Sequence, residues 1–148
     1  MSQDKSVTKD LIETLEDGKD GFTHAAAQLS DSGHSDLAAK MRDYAQQRAR
    51  FSQQLEALAA HYGDDIDENG SLVAGAHRVW MSMKDALTGS DPSAVFDVAE
   101  QGEDHAVKEY VHALEQDISP ELREVVQRQL TEIRAAHDDV RSLREAVS

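Results

Sequence analysis

Both prolines in this chain directly follow a helix-capping residue, at Asp91-Pro92 and Ser119-Pro120. The Asp or Ser side chain accepts from unpaired N–H groups of a first helical turn. Proline at the first helical position gives up an N–H that has no partner there anyway. The two dipeptides therefore predict helices opening at about 92 and 120, with no breaker inside either. Apolar residues recur every three or four positions along each, as Val95, Ala99, Ala106, Tyr110 and Leu114, then as Leu122, Val126, Ile133, Val140 and Val147. The same period upstream aligns Val7, Leu11, Leu15, Gly18, Phe22, Ala25, Ala26 and Leu29. After the turn at 30–35, where Gly33 suits a left-handed C-terminal cap and Ser35 the next N-cap, it aligns Leu37, Met41, Tyr44, Ala45, Arg48, Phe51, Leu55, Leu58, Ala59 and Tyr62.

These patterns predict helices over about 4–29, 35–62, 92–115 and 120–147 in a single domain over 1–148. No window alternates as a strand. Between 63 and 91 an acidic loop, GDDIDENGS, precedes a short amphipathic helix over about 72–88 that aligns Val73, Ala76, Trp80, Met83 and Leu87. That face is expected to cover one side of the bundle. The brief turns at 30–34 and 116–119 call for two antiparallel hairpins, and the long connection can carry the chain from one end of a bundle to the other. The fold class that follows is all-α, a ferritin-like four-helix bundle with a long crossover carrying a short extra helix; an up-down-up-down bundle is the rival and would want a short second loop.

Composition excludes several functions. Fifteen Lys and Arg against 29 Asp and Glu give a formal charge of −14, so a phosphate-tracking surface for nucleic acid is not expected. The absence of cysteine removes disulfides, thiolate metal sites, iron–sulfur clusters and a cysteine nucleophile. No apolar run reaches the ~20 residues that span a bilayer, and the start MSQDKSVTKD has neither the basic nor the apolar part of a secretory signal, so no membrane and a cytoplasmic location are the expectation.

Four stretches carry a resemblance: Asp10-Leu11-Ile12-Glu13-Thr14-Leu15-Glu16-Asp17-Gly18; His77-Arg78-Val79-Trp80 with Lys84-Asp85-Ala86-Leu87-Thr88-Gly89; Gln101-Gly102-Glu103-Asp104; and Ala136-His137-Asp138. From about Val7 to Ala146 the chain resembles a small bacterial four-helix-bundle family, placed near the ferritin-like proteins and described as a domain of unknown function. The resemblance implies a ferritin-like bundle and brings no activity with it; an association with stress is what ferritin-like relatives suggest. The family tends to have Glu where this chain has Gln54.

A ferritin-like di-metal site takes a Glu from each of two helices and a Glu-x-x-His pair from each of the others. The chain has one such pair, Glu109 with His112, and it lies to the outer side of the Val95–Tyr110 line. His105, Glu109 and His112 stand at i, i+4 and i+7, a spacing able to chelate an adventitious surface ion, although a solvated polar face is the plainer expectation. More telling are polar residues on apolar stripes. Arg48 and Glu103 lie at equal depth if the second and third helices are parallel, and His137 falls one turn from Glu103. An internal cluster of Arg48, Glu103 and His137, with Tyr44 and Tyr110 as hydroxyl partners, is the result.

Two accounts of that cluster stand side by side. In one, Arg48 and Glu103 form a buried ion pair that sets helix register, within a non-enzymatic interaction or stress-associated protein that requires no cofactor. In the other, Glu103 and His137, helped by Glu100 or Asp104, hold a divalent ion (iron, manganese or zinc), which the Arg48 guanidinium opposes. A carrier of small apolar ligands is a further alternative, and a homodimer formed through a helix-pair face is the partner expected besides an unidentified protein. The acidic 64–70 segment lacks the twelve-residue calcium-loop spacing. No serine sits in a strand-to-helix elbow, and no glycine-rich loop cradles phosphate.

Overall fold

The computed structural model describes residues 3–61 and 91–147. The expected acidic loop, the 72–88 helix and its Trp80 face lie outside the described residues. Among the described residues there are four helices, α1 (Asp4–Asp31), α2 (Ser35–His61), α3 (Pro92–Leu114) and α4 (Pro120–Val147), and no strand. The chain is an all-α four-helix bundle.

Local chemistry sets the helix ends. The Asp91 side chain accepts from the Ser93 N–H at 3.1 Å, with Pro92 in the first turn. Ser119 does the same for α4, its Oγ accepting from the Leu122 N–H at 3.2 Å. α1 runs two residues past its expected end because its cap is built beyond Leu29. Gly33 has φ +84, its N–H donates to Ser30 O at 3.1 Å, and the His34 N–H donates to Leu29 O at 2.8 Å. This pair of bonds is the Schellman arrangement, and it requires a left-handed residue at Gly33. Ser35 proves to be the first residue of α2 rather than its cap, and the His34 carbonyl accepts from Ala38.

Side-chain contacts give the helix directions. α1 and α2 are antiparallel neighbours, as are α3 and α4. Tyr44 of α2 reaches Asp139 of α4 while Gln54 reaches Gln129, so those two helices also run oppositely. The start of α1 is pinned to the α3–α4 turn: the Gln3 N–H donates to Asp117 O at 2.7 Å and the Ser119 N–H to Asp4 Oδ1 at 2.8 Å. α2 and α3 are thus parallel, and the chain must travel the bundle's length, about 40 Å for the 27 residues of α2, between His61 and Asp91.

The core falls into two apolar clusters. One gathers Phe22, Leu29, Met41, Val95, Phe96 and Val140 at the α1–α2 turn; the other gathers Leu11, Leu15, Phe51, Leu55, Tyr110, Leu122 and Ile133 toward the α3–α4 turn. The break falls at one level on every helix: at Gly18, Arg48, Glu103 and Ala136.

Candidate functional site

That level is a polar layer built from two facing residues and two small ones. Arg48 and Glu103 are 1% and 0% exposed and form a bidentate pair, Nη1 to Oε1 at 2.5 Å and Nη2 to Oε2 at 2.6 Å. Parallel α2 and α3 bring residues of equal depth together across the bundle. Gly18 on α1 faces the guanidinium; a Cβ there would lie 3.7 Å from Arg48 Nη1, in ordinary contact. Arg48 also donates through Nε to Gln47 Oε1 at 3.1 Å and lies over the Phe22 ring, 5.2 Å from its centroid. The charge is therefore met on its edge by carboxylate and amide and on its face by an aromatic ring.

The other expected members of the cluster find partners elsewhere. The Tyr44 hydroxyl donates to Asp139 Oδ2, which Lys40 also approaches at 3.5 Å. Burial first, and then the Asp139 carboxylate, push the Tyr44 pKa upward, so the phenol keeps its proton. The Tyr110 hydroxyl donates to Gln129 Oε1 at 2.7 Å, and burial raises its pKa as well. His137 does not join the ion pair. It sits at the rim between α3 and α4, with Nε2 on Asp104 Oδ1 and Nδ1 on Asp138 Oδ1. The reason is helix phase: His137 follows the small buried Ala136, so its ring leaves the core line toward the α3 edge.

The metal donor set is dispersed in the same way. Both Glu103 oxygens face Arg48, Glu100 binds Arg141 (2.9 Å) and Arg144 (3.2 Å), and Asp104 binds His137. Among the described residues no three His, Asp or Glu side chains gather into a group able to hold a metal ion. Of His105, Glu109 and His112, whose spacing could chelate an adventitious surface ion, His112 is exposed and the other two are half-buried. His105 Nε2 is buried, 3.5 Å from Glu109 and without a hydrogen bond, while His112 accepts through its carbonyl from the Gln116 side chain at 3.2 Å. Glu109 and His112 border a crevice against Val7 and Leu11 of α1.

Two polar features went unread in the sequence. Gln129 is fully buried and joins three helices, accepting from Tyr110 and donating to Phe51 O at 3.2 Å and Gln54 Oε1 at 3.0 Å. Its signal was a polar residue at helical spacing between Val126 and Ile133. The second is an ionic ladder in which Asp97, Glu100 and Asp104 of α3 face Arg144, Arg141 and His137 of α4. Acids at i, i+3 and i+7 opposite bases at the reversed spacing would have shown it.

No helix among the described residues is long and apolar enough to cross a membrane. No curated protein matches the chain. A family model does match it, over residues 5–116, which takes in α1, α2, the connection and α3 and stops in the turn before α4. By that match the chain belongs to the family described as a domain of unknown function (DUF2383).

Proposed function

We propose that this chain is a non-enzymatic, ferritin-like bundle, one domain over 1–148, that acts through its exposed acidic surface as an interaction protein. The observation that carries this reading is the occupation of both Glu103 oxygens by Arg48 at the centre of the bundle. Ferritin-like chemistry needs inward carboxylates free to take a metal, and here the one fully buried carboxylate among the described residues, Glu103, faces a guanidinium that competes for it and repels a cation. The parallel run of α2 and α3 supports the ferritin-like label, because an up-down-up-down bundle makes them antiparallel. A formal charge of −14 sets the surface against nucleic acid and anionic membranes as partners. The stress association rests on the resemblance alone.

The test is metal loading. Protein purified in chelator, then incubated with ferrous iron, manganese or zinc and desalted, is expected to retain less than one ion per chain and to oxidise ferrous iron no faster than buffer. A stoichiometric ion that is lost in Glu103→Ala, or iron oxidation above the buffer rate, overturns the reading.

A further inference from the structure

The ladder between α3 and α4 has one rung unlike the rest. Arg144 lies 3.5 Å from Asp97 and 3.2 Å from Glu100, and Arg141 lies 2.9 Å from Glu100, but one turn further along the base opposite Asp104 is His137. Arginine keeps its charge throughout the physiological range, whereas histidine gains and loses a proton within it. His137 Nε2 lies 2.5 Å from Asp104 Oδ1, and Nδ1 lies 3.1 Å from Asp138 Oδ1. An ionised carboxylate can only accept, and a neutral imidazole has a single N–H to give. Both contacts are satisfied together only by the doubly protonated ring.

We propose that Asp104, His137 and Asp138 form a proton-operated clamp between α3 and α4, closed while His137 carries both ring protons and loosened when it loses one. The clamp lies along a groove of about 360 Å³ bordered by Val107, Lys108 and Arg134 as well as the three clamp residues. Loosening it therefore acts beside an open groove between the two helices. Next to the tight Tyr110–Gln129 contact it would have no such room.

Among the described residues, the charged groups that face His137 come from three helices. From α3 they are Asp104 and Lys108, and from α4 itself Arg134, Asp138 and Arg141. On the α2 side, Lys40 and Tyr44 are engaged with Asp139. Burial pulls the His137 pKa down and Arg141 adds to that pull, but the hydrogen bonds to Asp138 and Asp104 and the Asp104 charge outweigh both and raise it above 6.5. A raised folded-state value means that the clamp's contribution is complete below 6.5, the unfolded value, and is lost as pH rises through the folded one. The hairpin is thus tightest in mild acid.

Two measurements on the full chain decide it. NMR titration of the imidazoles, with His137 assigned by His137→Gln, is expected to place its midpoint above 6.5 and to show it falling in Asp104→Asn. A double-mutant cycle of Asp104→Ala and His137→Ala, read by denaturant unfolding, is expected to give a coupling of about two- to fivefold in the folding equilibrium at pH 6 that declines toward none at pH 9. A midpoint at or below 6.5, or a coupling equal at the two pH values, overturns the proposal. Asp104 and His137 are partly exposed and lie outside both apolar clusters, so all of these variants retain the core.

Discussion

Glu103 has no water to fall back on. Fully buried and held by two guanidinium N–H groups, it keeps Arg48 from being a bare charge in an apolar layer. Removing water from both groups offsets most of their mutual attraction, so the intact pair adds little net stability, whereas a stranded partner costs about 3–5 kcal/mol. Chemical denaturation of Glu103→Ala and of Arg48→Ala is expected to show losses of that size for each. Tyr110→Phe should cost less, about 1–2 kcal/mol, because it deprives a neutral Gln129 oxygen of its donor while the amide keeps Phe51 O and Gln54. Gln54 therefore has a structural partner, and a Glu in its place could accept the same hydrogen bond from Gln129 Nε2.

At the scale of single helices, the strongest local signals lie in caps and in one missing side chain. Asp91→Ala removes the acceptor for the Ser93 N–H and should cost about 1 kcal/mol in thermal or denaturant unfolding. Gly18→Ala should do the opposite and stabilise by about 0.5–1 kcal/mol. A Cβ at Gly18 meets Arg48 at 3.7 and 3.8 Å, which is ordinary contact, and alanine removes the conformational cost of glycine within a helix. These elements were legible because capping and apolar period are local. Asp91-Pro92 and Ser119-Pro120 open helices where their chemistry says they must. The depth of Arg48 against Glu103 could be counted from helix starts once parallel directions were assumed. What local spacing could not supply was rotation about each helix axis. An error of a few tens of degrees moves His137 from the core to the rim and hides Gln129 within an otherwise apolar line. The partners of Tyr44 and Tyr110 depend on the same rotation, and they lie on α4 rather than at the ion pair.

Taken whole, the bundle is two apolar clusters separated by one polar layer, with a ladder of charge along the α3–α4 seam. α4 contributes Leu122, Val126, Gln129, Leu130, Ile133, Ala136 and Val140 to the interior, although the family match ends before it. Residues 1–116 alone would leave uncovered the apolar faces that pack on α4, and Tyr110 without Gln129. That fragment is expected to lose the cooperative unfolding transition of the full chain in circular dichroism, and a sharp transition of native size would show that the folding unit ends at α3. The polar layer is central to the fold: a buried pair in which both Glu103 oxygens face Arg48 and which holds the register of α2 against α3. Its most direct test is denaturant unfolding of the double variant Arg48→Met with Glu103→Leu beside the two single variants. If the pair is self-contained, the double variant folds with stability equal to the wild type or higher, by up to about 4 kcal/mol, while each single variant falls well below it. A double variant that loses the sum of the two single losses would show that Arg48 and Glu103 each serve some other group, and would contradict the account.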